Sequence, residues 1–156
     1  DQKAIYAIVL HAQKSAIASV KPGQTFESMQ KNTIEIITRG LRKLGILKGN
    51  LSKLIREEAY KPFYMHGIGH WLGMDVHDVG SYVNEKGNSK RFLPGMVITV
   101  EPGIYISRNS KHVDKKWKGI GIRIEDDVLV TRSGCEVLSG KLPKEIDKIE
   151  AIMSSN

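Results

Sequence analysis

The hydrophobic period of the chain changes once, near Pro62, and this limits the fold more than any other feature. Before that point apolar residues recur at helical spacing. Ile5, Ile8, Val9, Ala12, Ala16 and Val20 mark one stripe across residues 2–20. The "KPGQ" that follows breaks it. Phe26, Met29, Thr33, Ile36, Ile37, Leu41 and Leu44 mark a second stripe, with Thr25 as a helix N-cap. Asn50 or Ser52 caps a short third helix that runs to about Ala59. After Pro62 the pattern turns β-like: "MVITVEPGIYI" and "GIRIEDDVLVT" are rich in Val, Ile and Thr and predict strands. A polar, basic loop at 107–118 lies between them, and "KLPKEIDKIEAIM" predicts a closing helix with Pro143 near its first turn. Helices first and strands afterwards is an α+β order, with helices packed on an antiparallel sheet. At 156 residues the soft expectation is one domain.

The composition, 40% hydrophobic and 26% charged, is that of a globular chain. No run approaches the ~18 apolar residues of a membrane span. The first residues, "DQKAIYAIVLHAQKSA", do not read as a signal peptide. A single cysteine, Cys135, excludes an internal disulfide framework and suits a reducing, cytoplasmic setting. The net charge of +7 raises a nucleic-acid reading. The lysines are spread over helix faces and loops, apart from "SRNSKHVDKKWKG", and no series of stacking aromatics accompanies them. The expectation is no nucleic acid and no membrane as partner.

Residues 64–80, "YMHGIGHWLGMDVHDVG", hold three of the five histidines, His66, His70 and His77. His66 and His70 are four apart, which on a helix would place them on one face. The glycines at 67 and 69 argue against a helix, and the glutamate of an HExxH zinc motif is absent. An extended, glycine-bent segment lets three imidazoles converge, one on a metal and two on a substrate. The strands supply carboxylates. Alternation sets Thr99 with Glu101 on one face and Arg123 with Glu125 and Asp127 on another. A carboxylate in an aliphatic strand needs a cation, donors or water. Glu101, Glu125 and one imidazole make an oxygen-rich site with one nitrogen, suited to Mn²⁺, Fe²⁺, Co²⁺ or Zn²⁺.

Three blocks, "YMHGIGHWLGMDVHDVG", "LPGMVITVEPGIY" and "GIGIRIEDDVLVT", resemble the signatures of aminopeptidase P, the Xaa-Pro aminopeptidases of the pita-bread metallopeptidase fold. "LGILKGN" and "PKEIDKIEAIM" extend the resemblance over nearly the whole chain. It implies that His70, Glu101 and Glu125 are metal ligands, with Glu125 bridging two ions. It implies substrate-side roles for His66, His77 and Tyr105, and a supporting role for Arg123. Glu101 lies where a carboxylate beside the nucleophile could take its proton.

The implied reaction is release of an N-terminal residue from a peptide with proline second, through two divalent metals, usually manganese, that activate a bridging water. The family's site takes five protein ligands, two of them aspartates on a hairpin with no counterpart here. Residues 1–156 therefore correspond to the C-terminal part of the catalytic domain and carry three of the five. The expectation is little or no activity from this portion alone, and exposed faces that favour homo-oligomers. A prolidase-type dipeptidase and a metal-free binding module on the same fold are the rival readings.

Overall fold

The computed structural model describes residues 1–154. Helix α1 spans Gln2–Ser19, α2 Phe26–Lys43 and α3 Leu51–Arg56. Five strands follow: β1 Val97–Val100, β2 Gly103–Tyr105, β3 Gly121–Arg123, β4 Asp126–Val130 and β5 Cys135–Val137. Helix α4, Ile146–Ser154, closes the described chain. Among the described residues no helix is long and apolar enough to cross a membrane.

Local chemistry sets the helix ends. The Thr25 hydroxyl accepts from the Ser28 N–H at 3.1 Å, while the Ser28 hydroxyl accepts from the Thr25 N–H at 3.2 Å. This reciprocal pair satisfies two donors that the first turn of α2 leaves free. Asn50, not Ser52, caps α3, its side-chain oxygen accepting from Lys53 N–H at 3.1 Å. That helix ends at Arg56, before the expected Ala59. Pro143 precedes α4 rather than standing in its first turn, and the chain between them is fixed by tertiary bonds. Lys14 of α1 pairs with Glu145, and Tyr6 donates to the Lys144 carbonyl at 2.8 Å.

Each of the two long strands expected from the sequence divides in two. Pro102 has no N–H to give to a ladder, and the pairing lapses at its position. β1 pairs antiparallel with β4, which pairs with β5, and β2 pairs with β3. The register nevertheless runs on across the lapse. Val100 faces Asp126 and Gly103 faces Arg123, so Glu101 stands opposite Glu125. Ile124 N–H donates to the Pro102 carbonyl at 3.3 Å and bridges the gap.

The helices cover the back of this bent ladder. Ile5 and Val9 of α1 and Ile37 and Leu41 of α2 join Ile104, Ile122 and Ile124 in one buried cluster. Ala16, Met29, Ile98, Val100, Val128 and Val130 form a second with Trp71 and Phe92. Fully burying one such aliphatic side chain stabilises the fold by about 1.5–3 kcal/mol. Burial alternates strictly from Gly121 to Asp126, leaving Arg123 and Glu125 exposed on the front.

Candidate metal centre

The front of the ladder and the histidine segment meet at one point. Residues 68–72 lie beside β1 as an irregular strand. Glu101 N–H donates to the Ile68 carbonyl at 2.8 Å, Thr99 N–H to that of His70 at 3.0 Å, and Leu72 N–H to that of Val97 at 3.1 Å. Gly69 makes this approach possible: a Cβ there would lie 1.9 Å from the Thr99 carbonyl oxygen. A side chain at 69 and this pairing are incompatible.

His70, Glu101 and Glu125 each present one ligand atom, and the three atoms lie within 4.8 Å of one another. His70 Nε2 is 3.3 Å from Glu101 Oε1. His70 Nδ1 lies 2.9 Å from the Trp71 carbonyl oxygen. A carbonyl only accepts, so the neutral ring carries its proton on Nδ1 and leaves the Nε2 lone pair directed at the glutamates. Thr99 joins the two halves: its hydroxyl accepts from His70 N–H at 3.0 Å and donates to Glu101 Oε1 at 3.3 Å. Arg123 Nη1 is 3.6 Å from Glu101 Oε2. Partial burial, then the charge of Glu101, raises the pKa of Glu125 above the ordinary carboxylate value. Like charges directly opposite on adjacent strands repel. A divalent cation between them removes that repulsion, and one imidazole with two carboxylates suits such an ion. The donor set fits a metal.

The remaining expected residues flank this point. His66 Nδ1 lies 2.8 Å from the Gly67 carbonyl oxygen and therefore donates; Nε2 is 3.0 Å from the Tyr105 hydroxyl. Burial foremost raises the pKa of Tyr105, against the lowering effect of Arg123. His77 lies on an exposed turn with its ring centroid 4.4 Å from that of His70. Among the described residues no protein hydrogen bond engages either ring nitrogen of His77, which is exposed.

Several residues that shape the site were not singled out in the sequence. Gln30 of α2 accepts from the Tyr64 hydroxyl at 3.0 Å and donates to the His66 carbonyl at 3.3 Å. It lies far away in sequence, and no local signal pointed to it. Asp126 is 4% exposed behind Glu125. It accepts from Gln13 Nε2 and Ser139 Oγ, each at 2.5 Å, and pairs with Lys144 Nζ at 2.7 Å. Its signal was visible: it occupies the inward, aliphatic face of its strand.

Residues 1–132 match the metallopeptidase family M24. Over 154 residues the chain is 53% identical to the Xaa-Pro aminopeptidase of Haemophilus influenzae, covering 98% of this chain and 35% of that protein. The structure of Pseudomonas aeruginosa aminopeptidase PepP superposes with a TM-score of 0.95 at 53% identity, over 98% of this chain and 34% of that one. A zinc-substituted Escherichia coli aminopeptidase P in complex with product gives 0.93 at 44% identity, over 98% and 34%. The chain belongs to metallopeptidase family M24, and it spans about a third of the length of these relatives. Its architecture is the pita-bread fold expected from the sequence blocks.

Proposed function

We propose that residues 1–156 are the C-terminal portion of the catalytic domain of a metal-dependent Xaa-Pro aminopeptidase, and that His70, Glu101 and Glu125 hold its metal. The observation that carries this reading is the cross-strand facing of Glu101 and Glu125, with His70 offering a third ligand atom and all three within 4.8 Å of one another. A purely structural site has no use for that repulsion. The names of the similar proteins support the substrate class.

Two bound divalent ions, manganese in our reading, supply Lewis acidity that lowers the pKa of a water nucleophile and polarises the scissile carbonyl. This chain's residues do the rest. Glu101, adjacent to the nucleophile's position, accepts its proton. The Thr99 hydroxyl and Arg123 hold the Glu101 carboxylate in place. His77 and His66 stand at the rim, His66 aimed by its contacts to Gly67 and Tyr105. His77 donates to the carbonyl oxygen as charge develops there, where a fixed donor contributes most, while His66 accepts from the Tyr105 hydroxyl through Nε2 and fixes that side chain beside the substrate. The bond before proline has no N–H. Recognition therefore rests on that carbonyl and on the shape of the Tyr105 wall. Ligands for the second ion come from outside residues 1–156, so this portion alone turns over little or no peptide.

The test is full-length protein and residues 1–156 side by side, with Xaa-Pro peptides and elemental analysis. We expect metal-dependent release of the first residue by the former and one weakly held ion at most on the latter. Metal-independent turnover, or full-length protein whose Glu125→Gln variant keeps its metal and rate, overturns the assignment.

A further inference from the structure

A basic surface begins where the front of the β2–β3 hairpin ends. The connecting loop, 107–118, carries Arg108, Lys111, Lys115, Lys116 and Lys118 against one acid, Asp114. Most of the chain's net charge of +7 therefore sits in these twelve positions. All but Lys118 of the five are exposed, and among the described residues none of them is in an ion pair. The loop is nevertheless anchored. Trp117 is buried in the helix-side core, and Gly119 N–H donates to the Ile106 carbonyl at 2.7 Å.

An open track connects this loop to the metal centre. Towards β1 the front is closed, since Thr99 is 1% exposed. Towards β2–β3 it is open: Arg123 and Gly121 are exposed and Tyr105 lies flat over Gly103, where a Cβ would come within 2.6 Å of its hydroxyl. Tyr105 and Gly121 line a cavity of about 320 Å³ together with Met65 and Arg108. From Glu101 to Tyr105 is about 13 Å at ~3.3 Å per strand residue, and Arg108 is three residues further. An extended peptide advances at a similar pitch.

We propose that this chain favours peptides with acidic side chains about four to seven residues beyond the scissile bond, drawn along the Tyr105–Arg108 track by the 107–118 loop. The inference rests on the aminopeptidase reading for its chemistry and on the loop's charge for its direction. Fields of this kind raise local ligand concentration and encounter rate by ten-fold or more, and surface charges are screened beyond ~10 Å at about 0.1 M salt.

The test uses full-length protein and Ala-Pro peptides that differ only in a distal Asp/Glu, Asn/Gln or Lys triplet. At about 0.02 M salt we expect kcat/KM for the acidic peptide to exceed the neutral one about tenfold, mainly through KM. The advantage should vanish near 0.3 M salt and in K115E/K116E, while the tripeptide Ala-Pro-Ala is cleaved unchanged. An acidic advantage that is absent at low salt, or that survives in K115E/K116E, overturns the proposal. If no Xaa-Pro peptide is cleaved, the aminopeptidase reading fails and fluorescence anisotropy of the labelled acidic peptide judges the loop alone. Salt-sensitive binding lost in K115E/K116E supports it, and absence of binding refutes it. Tighter binding of an oligonucleotide of equal charge also refutes it, making the loop a nucleic-acid surface.

Discussion

Glu101 and Glu125 ride on a ladder whose register runs without a slip from Val97↔Leu129 to Tyr105↔Gly121, whereas His66, His70 and His77 hang on a segment with no regular strand. On the glutamate side, position is set by many repeated backbone bonds and an aliphatic back face. On the histidine side it is set by single devices: Gly69 against Thr99, one carbonyl for each of the His66 and His70 rings, and Gln30 reaching from α2. A ladder shares a disturbance among neighbours. A segment held by single contacts passes the disturbance directly to its imidazole. Damage to the two sides should therefore read out differently.

The largest effect lies behind the ladder. Asp126→Ala leaves Lys144, 16% exposed, without its carboxylate, and strips Gln13 and Ser139 of their acceptor. Breaking a buried pair from one side costs about 3–5 kcal/mol, to be read as a lower urea midpoint. Replacing both partners with apolar residues, Asp126→Leu with Lys144→Met, should recover most of that loss. The histidine side responds with less loss of stability and more loss of function. Gly69→Ala places a methyl group against a backbone carbonyl that cannot rotate away, costing about 1–3 kcal/mol. Because His70 is the next residue, metal affinity measured by calorimetry should fall further in Gly69→Ala than in Asp126→Ala. Equal affinity losses would remove the distinction between the two sides.

The same contrast explains what the sequence disclosed. Period-two alternation grouped Glu101 with Thr99 and Glu125 with Arg123 on shared strand faces, because strand geometry is local and repeats every two residues. It did not reveal that Pro102 divides both long strands, nor that the register carries across the lapse, because pairing joins residues distant in the chain. Thr25 and Asn50 were legible as caps, since a cap is decided within three residues. The third helix was overextended by about a turn: Glu58, at φ 54, turns the chain out of the helix, and Tyr60 and Phe63 beyond it pack into the core. The histidine cluster was visible as a cluster, but composition alone left open which ring faces the glutamates. The choice follows from the His70 Nδ1 contact with Trp71 and the pairing of 68–72 with β1, neither of which leaves a sequence periodicity.

Thr99 belongs to the ladder but serves both sides, so it tests how tightly they are joined. Thr99→Val keeps the shape of a side chain that is 1% exposed while removing both hydroxyl bonds. The His70 N–H is then buried without a partner, at about 1–2 kcal/mol. We expect a modest fall in thermal midpoint with a larger fall in metal affinity, since His70 and Glu101 lose their common anchor. A change in stability with unaltered affinity would show that the ladder and Trp71 position the two ligands without it.

The smallest effect has the opposite sign and belongs to the ladder alone. Without metal, Glu125 faces Glu101, and burial together with that charge raises its pKa above the ordinary 4.5. A carboxyl whose pKa is higher folded than unfolded binds its proton more tightly in the native state. Its contribution to stability is therefore full below about pH 4.5 and is lost as pH rises through the folded value. Glu125→Gln removes the titration and the repulsion together. In metal-free protein at neutral pH it should be neutral or stabilising, by up to about 1 kcal/mol, and should flatten the acid side of the stability curve. Added Mn²⁺ reverses the order, because the ion requires the ionised carboxylate: the unsubstituted protein gains thermal midpoint and the variant does not. The comparison fails if Glu125→Gln destabilises the metal-free chain, since the facing glutamates would then be held by something other than a missing cation.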